Sequence, residues 1–245
     1  DLNNTHSLQA LINDLTLRTE KKTYRPKDFS LDLSTSPDTT WAKAASGNLQ
    51  LDFRGKGGYE HLLGQLDKLM AKVDEQRREK VIDEEELRAL LPTIRLNIQS
   101  GNDNPVANIL RYNGFDFQDM SVTFRSSPQK GMGGRGHIYK MNVDSIPIDT
   151  MRFFIRQDSS RVNFRLLVQN NKRNPQLVFK SIVNGYIDGN RVGADAQFYD
   201  KHNVKGLDMG VMAEMLDSGI NVHLAPYEPL IGYKTFRLNT DNYLF

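Results

Sequence analysis

The feature that most constrains this chain is an alternation of apolar and polar residues at period two, which fills its second half. From Ser121 to Leu238, short alternating segments follow one another with a turn signal between each segment and the next. Alternation of this kind is typical of β-strands that hide one face of a sheet and leave the other in water. The second half is therefore predicted to be a sheet with one apolar face.

Nine candidate strands make up this half. Their inward residues are Val122 and Phe124; Tyr139, Met141 and Val143; Met151, Phe153 and Ile155; Val162, Phe164, Leu166 and Val168; Leu177, Phe179 and Val183; Val192, Ala194, Ala196 and Phe198; Leu207, Met209, Val211, Ala213 and Met215; Ile220, Val222 and Leu224; Phe236 and Leu238. Turn-forming residues separate them, as at Asp188-Gly189-Asn190 and at Ala225 to Pro229. No connection is long enough for a crossover helix, so an antiparallel meander is predicted.

The first half adds four strands and three helices. The predicted strands cover Asp14–Arg18, Asp28–Leu33, Asn48–Phe53 and Thr93–Ile98. The helices are a long one from Tyr59 to about Arg78, one capped by Asp83 and ended by Pro92, and one capped by Asn104 with Pro105 in its first turn. The acidic run 83–86 is interpreted as capping rather than as a metal site. We therefore expect N-terminal strands in 1–57, a helical insertion or cap in 58–114 with a strand near 93–98, and the meander in 115–245, all within a longer protein.

The long helix carries an apolar stripe at three- and four-residue spacing. Its members are Tyr59, Leu62, Leu63, Leu66, Leu69, Met70 and Val73. Such a stripe could bind a partner or a membrane surface, but packing on the sheet is the usual role and is favoured here.

Composition gives no sign of an active site. The 32 basic and 30 acidic residues leave a net charge of +2, and their order in the sequence predicts charges interspersed along the strands, so no nucleic-acid partner is predicted. Cysteine is absent, and the five histidines have no metal-ligand spacing. The glycine-rich stretch 130–136 lacks a phosphate-loop ending and is predicted to be a flexible hairpin loop. A catalytic pair of Asp or Glu side chains needs only proximity in space, so the sequence does not exclude one. We nevertheless expect a non-enzymatic protein with no catalytic residues, no metal and no cofactor.

The apolar face must be covered or occupied. Two sheets can pack as a sandwich, one sheet can close into a barrel, or a long curved sheet can form a groove around an apolar ligand or the helices. A closed barrel of some thirteen strands would be too wide for side chains to fill. A two-sheet β-sandwich and an open groove therefore remain the alternatives.

Several segments resemble a known family. These are 112–120 (Tyr-Asn-Gly-Phe-Asp-Phe-Gln-Asp-Met), 136–139 (Gly-His-Ile-Tyr), 169–176 (Gln-Asn-Asn-Lys-Arg-Asn-Pro-Gln) and 232–239 (Gly-Tyr-Lys-Thr-Phe-Arg-Leu-Asn). Together, over about 96–245, they resemble the central part of TamB-like proteins, the translocation and assembly module family of the Gram-negative envelope. This family is similar to the wider AsmA-like group.

The resemblance implies a mainly β fold, an elongated curved antiparallel sheet that forms a groove, with a short helical insertion. It implies a periplasmic section of a protein anchored in the inner membrane. Its groove would carry phospholipid acyl chains between membranes, or assist outer-membrane protein assembly and secretion with an assembly barrel as partner. The candidate lining residues are Phe124, Phe153, Ile155, Phe164, Leu166, Val168, Phe179, Phe198, Val211, Ile220 and Val222. The alternative is a non-catalytic β-sandwich binding module of a secreted or surface protein.

Overall fold

The structure, a computed structural model, describes residues 5–14, 16–18, 23–24, 28–158, 161–171, 174, 177–216, 219–239 and 243–244. The helices are α1 (Tyr59–Glu79), α2 (Glu84–Ala89) and α3 (Pro105–Tyr112). The strands are β1 (His6–Ile12), β2 (Leu17–Arg18), β3 (Thr23–Tyr24), β4 (Phe29–Thr35), β5 (Thr39–Ser46), β6 (Leu49–Lys56), β7 (Ile94–Gly101), β8 (Phe115–Asp116), β9 (Asp119–Ser127), β10 (Gly131–Val143), β11 (Ile146–Gln157), β12 (Arg161–Asn170), β13 (Phe179–Asp188), β14 (Arg191–Tyr199), β15 (Lys205–Leu216), β16 (Gly219–Ile231), β17 (Lys234–Thr235) and β18 (Tyr243–Leu244).

One antiparallel sheet of 16 strands dominates the molecule. Its order follows the chain, from β1 through β4, β5, β6, β7 and β9 to β17, with β8 beside β10 and β18 beside β16. Among the strands in the described ranges, only β2 and β3 lie outside it, as a short ribbon. The predicted fold class, a mainly β, open and curved antiparallel sheet with a short helical insertion, is confirmed. Within the described ranges no second sheet packs on this one, so the sandwich alternative is not what the chain forms.

The two faces of the sheet differ in chemistry because the alternation is in register between strands. Leu51 of β6 lies opposite Ile98 of β7, and Ile98 lies opposite Val122 of β9. Residues directly opposite one another point to the same side of a sheet. We call the side that carries these apolar residues the inner face and the opposite side the outer face.

Helix α1 crosses one end of the sheet on its inner side. At its start the Tyr59 amide donates to the Thr35 hydroxyl at 3.0 Å, beside the end of β4. At its end Glu79 and Lys80 border a small cavity together with Met215 of β15. The 21 residues of α1 span about 31 Å, whereas ten strand spacings from β4 to β15 measure about 48 Å. The sheet must therefore bend toward the helix.

Helix α2 fastens the same end at two further points. Asp83 caps it by accepting from the Glu86 amide at 2.9 Å, as predicted. Glu84 is buried and accepts from the amide of Gly189, in the turn between β13 and β14. Arg88 donates to the carbonyls of Pro128 at 2.9 Å and Gln129 at 2.7 Å, in the turn between β9 and β10. We call α1 and α2 together the helical cap.

Helix α3 packs at the opposite end of the strands. Its predicted N-cap, Asn104, accepts from the Ala107 amide at 2.9 Å and is completely buried. The Asn104 amide group also donates to Asn48 at 3.0 Å, to Ser100 at 2.9 Å and to the carbonyl of Gly101 at 2.8 Å. This one side chain therefore joins α3 to the turns that end β7 and begin β6.

Several local predictions are wrong. The glycine-rich stretch 130–136 is not a loop, because Gly131 to Gly136 belong to β10. The stretch around Trp41, which lies between two of the predicted strands, is itself strand β5. At the N-terminus the strand is His6–Ile12, while Asp14 has a left-handed backbone (φ 53°) and Leu15 lies outside the described residues.

The C-terminal strands also differ from prediction. The residues from Ala225 to Pro229 do not form a turn, since β16 runs through them to Ile231 with a shift in pairing register opposite Asp208 and Gly210. A bulge of this kind tolerates proline, which lacks the amide donor of a regular strand. Leu177 precedes β13, and Phe236 and Leu238 follow β17 without joining a strand.

The apolar stripe of α1 does not cover the sheet, which corrects the favoured interpretation. Leu62 is buried against Gly55 and Phe53, but the rest of the stripe is largely open to solvent. Its exposed members are Tyr59, Leu63, Leu66, Met70 and Val73, at 38–59% of their full accessibility. The helix turns only one edge of the stripe inward, Leu62 and Leu69 together with Gln76. This edge lies roughly a quarter-turn from the exposed members at 100° per residue.

We expect Asn104→Ala to lower the free energy of unfolding by about 2–4 kcal/mol, because it removes a helix cap and leaves buried partners without their bonds. Asn113→Ala is the matched control. Asn113 is an exposed asparagine at the other end of α3 with one bond to the Ile109 carbonyl, and its loss should cost about 0.5 kcal/mol. Urea denaturation of both variants measures the difference, and equal small losses would contradict the role given to Asn104.

Candidate functional site

The inner face between the helical cap and α3 is the candidate site. All eleven predicted lining residues lie on this face, because the strand register aligns them. Nine are half-buried, and Val211 and Ile220 are exposed at 42% and 36%. None of the eleven is fully buried, so the face they form is open rather than a dry core.

Two adjacent rows of side chains run across the strands without a polar residue. The first row is Leu33, Ala42, Phe53, Leu96, Phe124, Gly134, Ile155, Phe164, Gly185, Ala194, Val211 and Leu224. The second row is Leu31, Ala44, Leu51, Ile98, Val122, Gly136, Phe153, Leu166, Val183, Ala196 and Met209. Together they make a continuous apolar track from β4 to the last long strands.

The predicted lining contained no residue of this track from the first half of the chain. The candidate residues all came from the second half of the chain, whereas Phe53, Leu96 and Ile98 extend the same rows through β6 and β7. The signal was present in the alternation of the segments 48–53 and 93–98. What sequence alone could not supply was the pairing of β7 with β9 across the intervening helix α3.

Glycines make room for the aromatic rings of the track. A Cβ on Gly134 would lie 3.1 Å from the Phe124 ring and 3.2 Å from Ile155. A Cβ on Gly136 would collide with the Phe153 ring and lie 2.7 Å from the Ser121 carbonyl oxygen. Gly185 is similarly covered by the ring of Phe164. The rings therefore extend sideways over neighbouring strands, and the sheet surface stays shallow and smooth.

The ends of the inner face are polar and tightly bonded. At the capped end the Ser126 hydroxyl donates to the Pro92 carbonyl at 2.6 Å, and the Thr35 and Thr40 hydroxyls share a bond of 2.8 Å. At the α3 end Asn170 accepts from the Asp149 amide at 2.7 Å and donates to the Pro147 carbonyl at 2.8 Å. These polar groups are satisfied by the protein, so they mark the limits of the apolar track.

The fully buried apolar side chains also lie mostly at the two ends. Leu62 and Leu91 are buried with the helical cap, and Ala107, Phe117 and Met141 are buried near α3. Phe179 and Phe198 stack at 6.0 Å between centroids toward the α3 end. Firm packing is therefore concentrated at the ends, and the middle of the inner face is accessible.

Charged groups hold the helical cap together at its surface. The Lys72 ammonium lies 2.8 Å from Glu86 and 3.0 Å from Glu75. Hydrogen bonding to Glu86 and then to Glu75 raises the pKa of Lys72 above its usual range. Hydrogen bonds from Lys72 and then Gln76 lower the pKa of Glu86. Both shifts favour the charged forms, and the ion pair joins α1 to α2 at neutral pH.

The described part of the chain shows no grouping of three or more histidine or carboxylate side chains placed to hold a metal ion. His137 does have an acidic partner that the sequence did not suggest, Asp119 at 2.8 Å. Their strands pair so that Tyr139, two residues from His137, lies opposite Asp119 on the outer face. Among the described helices, none is both long and apolar enough to cross a membrane.

Comparisons with protein-family models, with curated proteins and with solved structures return no match. Function is therefore inferred from the geometry of the inner face and from the sequence resemblance.

We expect Gly136→Ala to destabilise the protein by about 1–3 kcal/mol, because the new methyl group meets both the Phe153 ring and a backbone oxygen that cannot move away. Gly133→Ala, three residues earlier in β10, is the control. Its Cβ would meet nothing closer than 3.6 Å, so we expect no loss of stability. Thermal or urea unfolding distinguishes the two, and equal effects would mean that the ring does not depend on the glycine.

Proposed function

We propose that the inner face is a groove that holds lipid acyl chains, within a periplasmic section of a TamB-like or AsmA-like envelope biogenesis protein. The observation that carries this proposal is the pair of unbroken apolar rows, which remain accessible across the sheet instead of being packed against a second layer. The protein would act by presenting this surface, without catalysing a reaction.

The physical driving force is the removal of apolar surface from water. Each methylene that leaves water is worth about 0.8 kcal/mol, and the transfer is non-directional. A flexible hydrocarbon chain suits such a track, because it can follow a curved surface that offers no hydrogen-bond donor or acceptor. The backbone amides and carbonyls of the sheet are already hydrogen-bonded between strands. A ligand that lies on the track can therefore make only apolar contacts with it.

The shape of the track favours a thin ligand over a protein partner. The rings of Phe124, Phe153 and Phe164 lie over glycines instead of projecting from the surface. Alanines occupy other positions of the two rows, at Ala194 and Ala196. Protein interfaces usually rely on projecting aromatic anchors set into pockets, and these rows provide few such features.

The cellular setting of the proposal rests on the resemblance over residues 96–245. That resemblance supports a location between the inner and outer membranes, with acyl chains as cargo and an outer-membrane assembly barrel as partner. An inner-membrane anchor and the barrel-binding region would belong to other parts of the full protein. The alternative role, assistance to outer-membrane protein assembly, would use the same apolar surface.

Site-specific photocrosslinking can test the groove with two neighbouring positions of β15. A benzophenone amino acid at Val211 points into the first apolar row, where the native side chain is 42% exposed, whereas the same group at Met212 points outward. We expect phospholipid to be captured at position 211 and not at 212, as judged by mass spectrometry of the crosslinked protein purified from a Gram-negative host.

Capture at Met212 alone, or equal capture at both positions, would falsify the groove. A second pair, Ala196 on the inner face and Gln197 on the outer face, repeats the comparison in β14. Capture of polypeptide instead of lipid at 211 and 196 would support the assembly role in place of lipid transport.

A further inference from the structure

The outer face carries a row of arginines that the sequence order conceals. Arg54 of β6 lies directly opposite Arg95 of β7, and Arg95 lies directly opposite Arg125 of β9. Arg125 faces Gly133, which in turn faces Arg156 of β11. The expectation of interspersed charge is therefore wrong for this face. We call these four residues the arginine ladder; it spans four strand spacings, about 19 Å.

Gly133 lies between Arg125 and Arg156 in the ladder and places no side chain between them. Arg125 passes close to this glycine, since a Cβ placed there would lie 3.6 Å from Arg125 Nε. The Arg125 side chain thus lies against β10 at Gly133, the residue opposite Arg156. In the row beside the ladder, Arg135 and Arg165 flank Phe154, so the basic surface widens to a patch.

Little acidic charge offsets this patch. Arg54 has Asp52 at 3.7 Å, but within the described structure Arg95, Arg125, Arg135, Arg156 and Arg165 make no ion pair, and all five are exposed. Like charges directly opposite one another on a sheet are destabilising. The chain as a whole has a net charge of only +2, so the cluster is not a by-product of a basic composition. A bound polyanion would relieve this repulsion.

We propose that the outer face docks on the phosphate headgroups of an anionic lipid bilayer. All the basic residues of the patch are arginines, whose planar guanidinium groups bind phosphate through paired hydrogen bonds. They cover a broad area in more than one row, which suits an extended anionic surface, whereas single-stranded nucleic acid is usually bound in a basic groove that tracks one backbone. The exposed Phe154, between two arginines, provides an apolar group for the interfacial region.

This inference concerns the face opposite the groove and does not depend on acyl-chain binding. It assigns the two faces of one sheet to the two parts of a lipid, the headgroup layer outside and the hydrocarbon inside. Failure of the groove experiment would leave this docking surface intact, and the reverse also holds.

Vesicle co-sedimentation tests the proposal with the full chain. We expect binding to vesicles of phosphatidylcholine with 30% phosphatidylglycerol, on the order of tenfold or more above pure phosphatidylcholine, and loss of that difference in high salt. The variant Arg95→Gln/Arg125→Gln/Arg156→Gln should weaken binding to the anionic vesicles about a hundredfold, a factor of about five for each charge removed near the surface.

The matched control is Lys68→Gln/Arg78→Gln/Lys201→Gln, which removes the same three charges from exposed positions away from the ladder. It should retain most of the binding. Equal losses in both triple variants, equal binding to neutral vesicles, or tighter binding to a single-stranded oligonucleotide than to anionic vesicles would each overturn the proposal. Arg95→Lys/Arg125→Lys/Arg156→Lys, which keeps the charge, should retain vesicle binding and shows that the ladder positions tolerate substitution.

Discussion

The rest of the structure depends on the register in which the antiparallel strands pair. The long strands alternate between apolar and polar residues, and pairing in phase turns these separate alternations into two chemically distinct faces. A slip of one residue in any strand would move its apolar side chains to the outer face, so burial and register enforce one another. The apolar rows and the arginine ladder are both products of this alignment, and neither can be read from a single strand.

The glycines show how close the packing is on a face that remains open. Glycines such as Gly134, Gly136 and Gly185 weaken an isolated strand, because glycine gains more backbone conformational entropy on unfolding than any other residue. In the sheet each one accommodates an aromatic ring from a neighbouring strand, which places the ring along the surface. The face therefore gains ring contacts without filling the groove, while the helices and polar side chains close the packing at both ends.

The alternation was sufficient to predict the fold class, most strands of the second half and most of the inner face, because each depends on local pattern. Strand β10 is the exception, since Tyr139 and Met141, predicted to point inward, share the outer side of the register with Asp119 and Thr150. The alternation was insufficient where contacts between distant segments determine the local structure or the direction of a side chain. The segment 131–136 looks like a loop by composition, but its glycines are required by Phe124 and Phe153 in adjacent strands. The stripe on α1 looked like a sheet-covering face, yet the helix crosses the end of the sheet with Leu62, Leu69 and Gln76 turned inward. Arg54, Arg95 and Arg125 are far apart in sequence, so only the register reveals that they are neighbours.

The contact between Glu84 and Gly189 has a consequence for the order of folding. Nearly every strand pairs with a neighbour close in sequence, so the sheet can grow one hairpin at a time at modest entropic cost. Glu84 and Gly189 are 105 residues apart, and the turn that contains Gly189 exists only after β13 and β14 have formed. The helical cap therefore closes late, when most of the sheet is already in place. During synthesis from the N-terminus the unfinished inner face is exposed before the cap has closed over its end, and this is the period in which the chain is most vulnerable to aggregation.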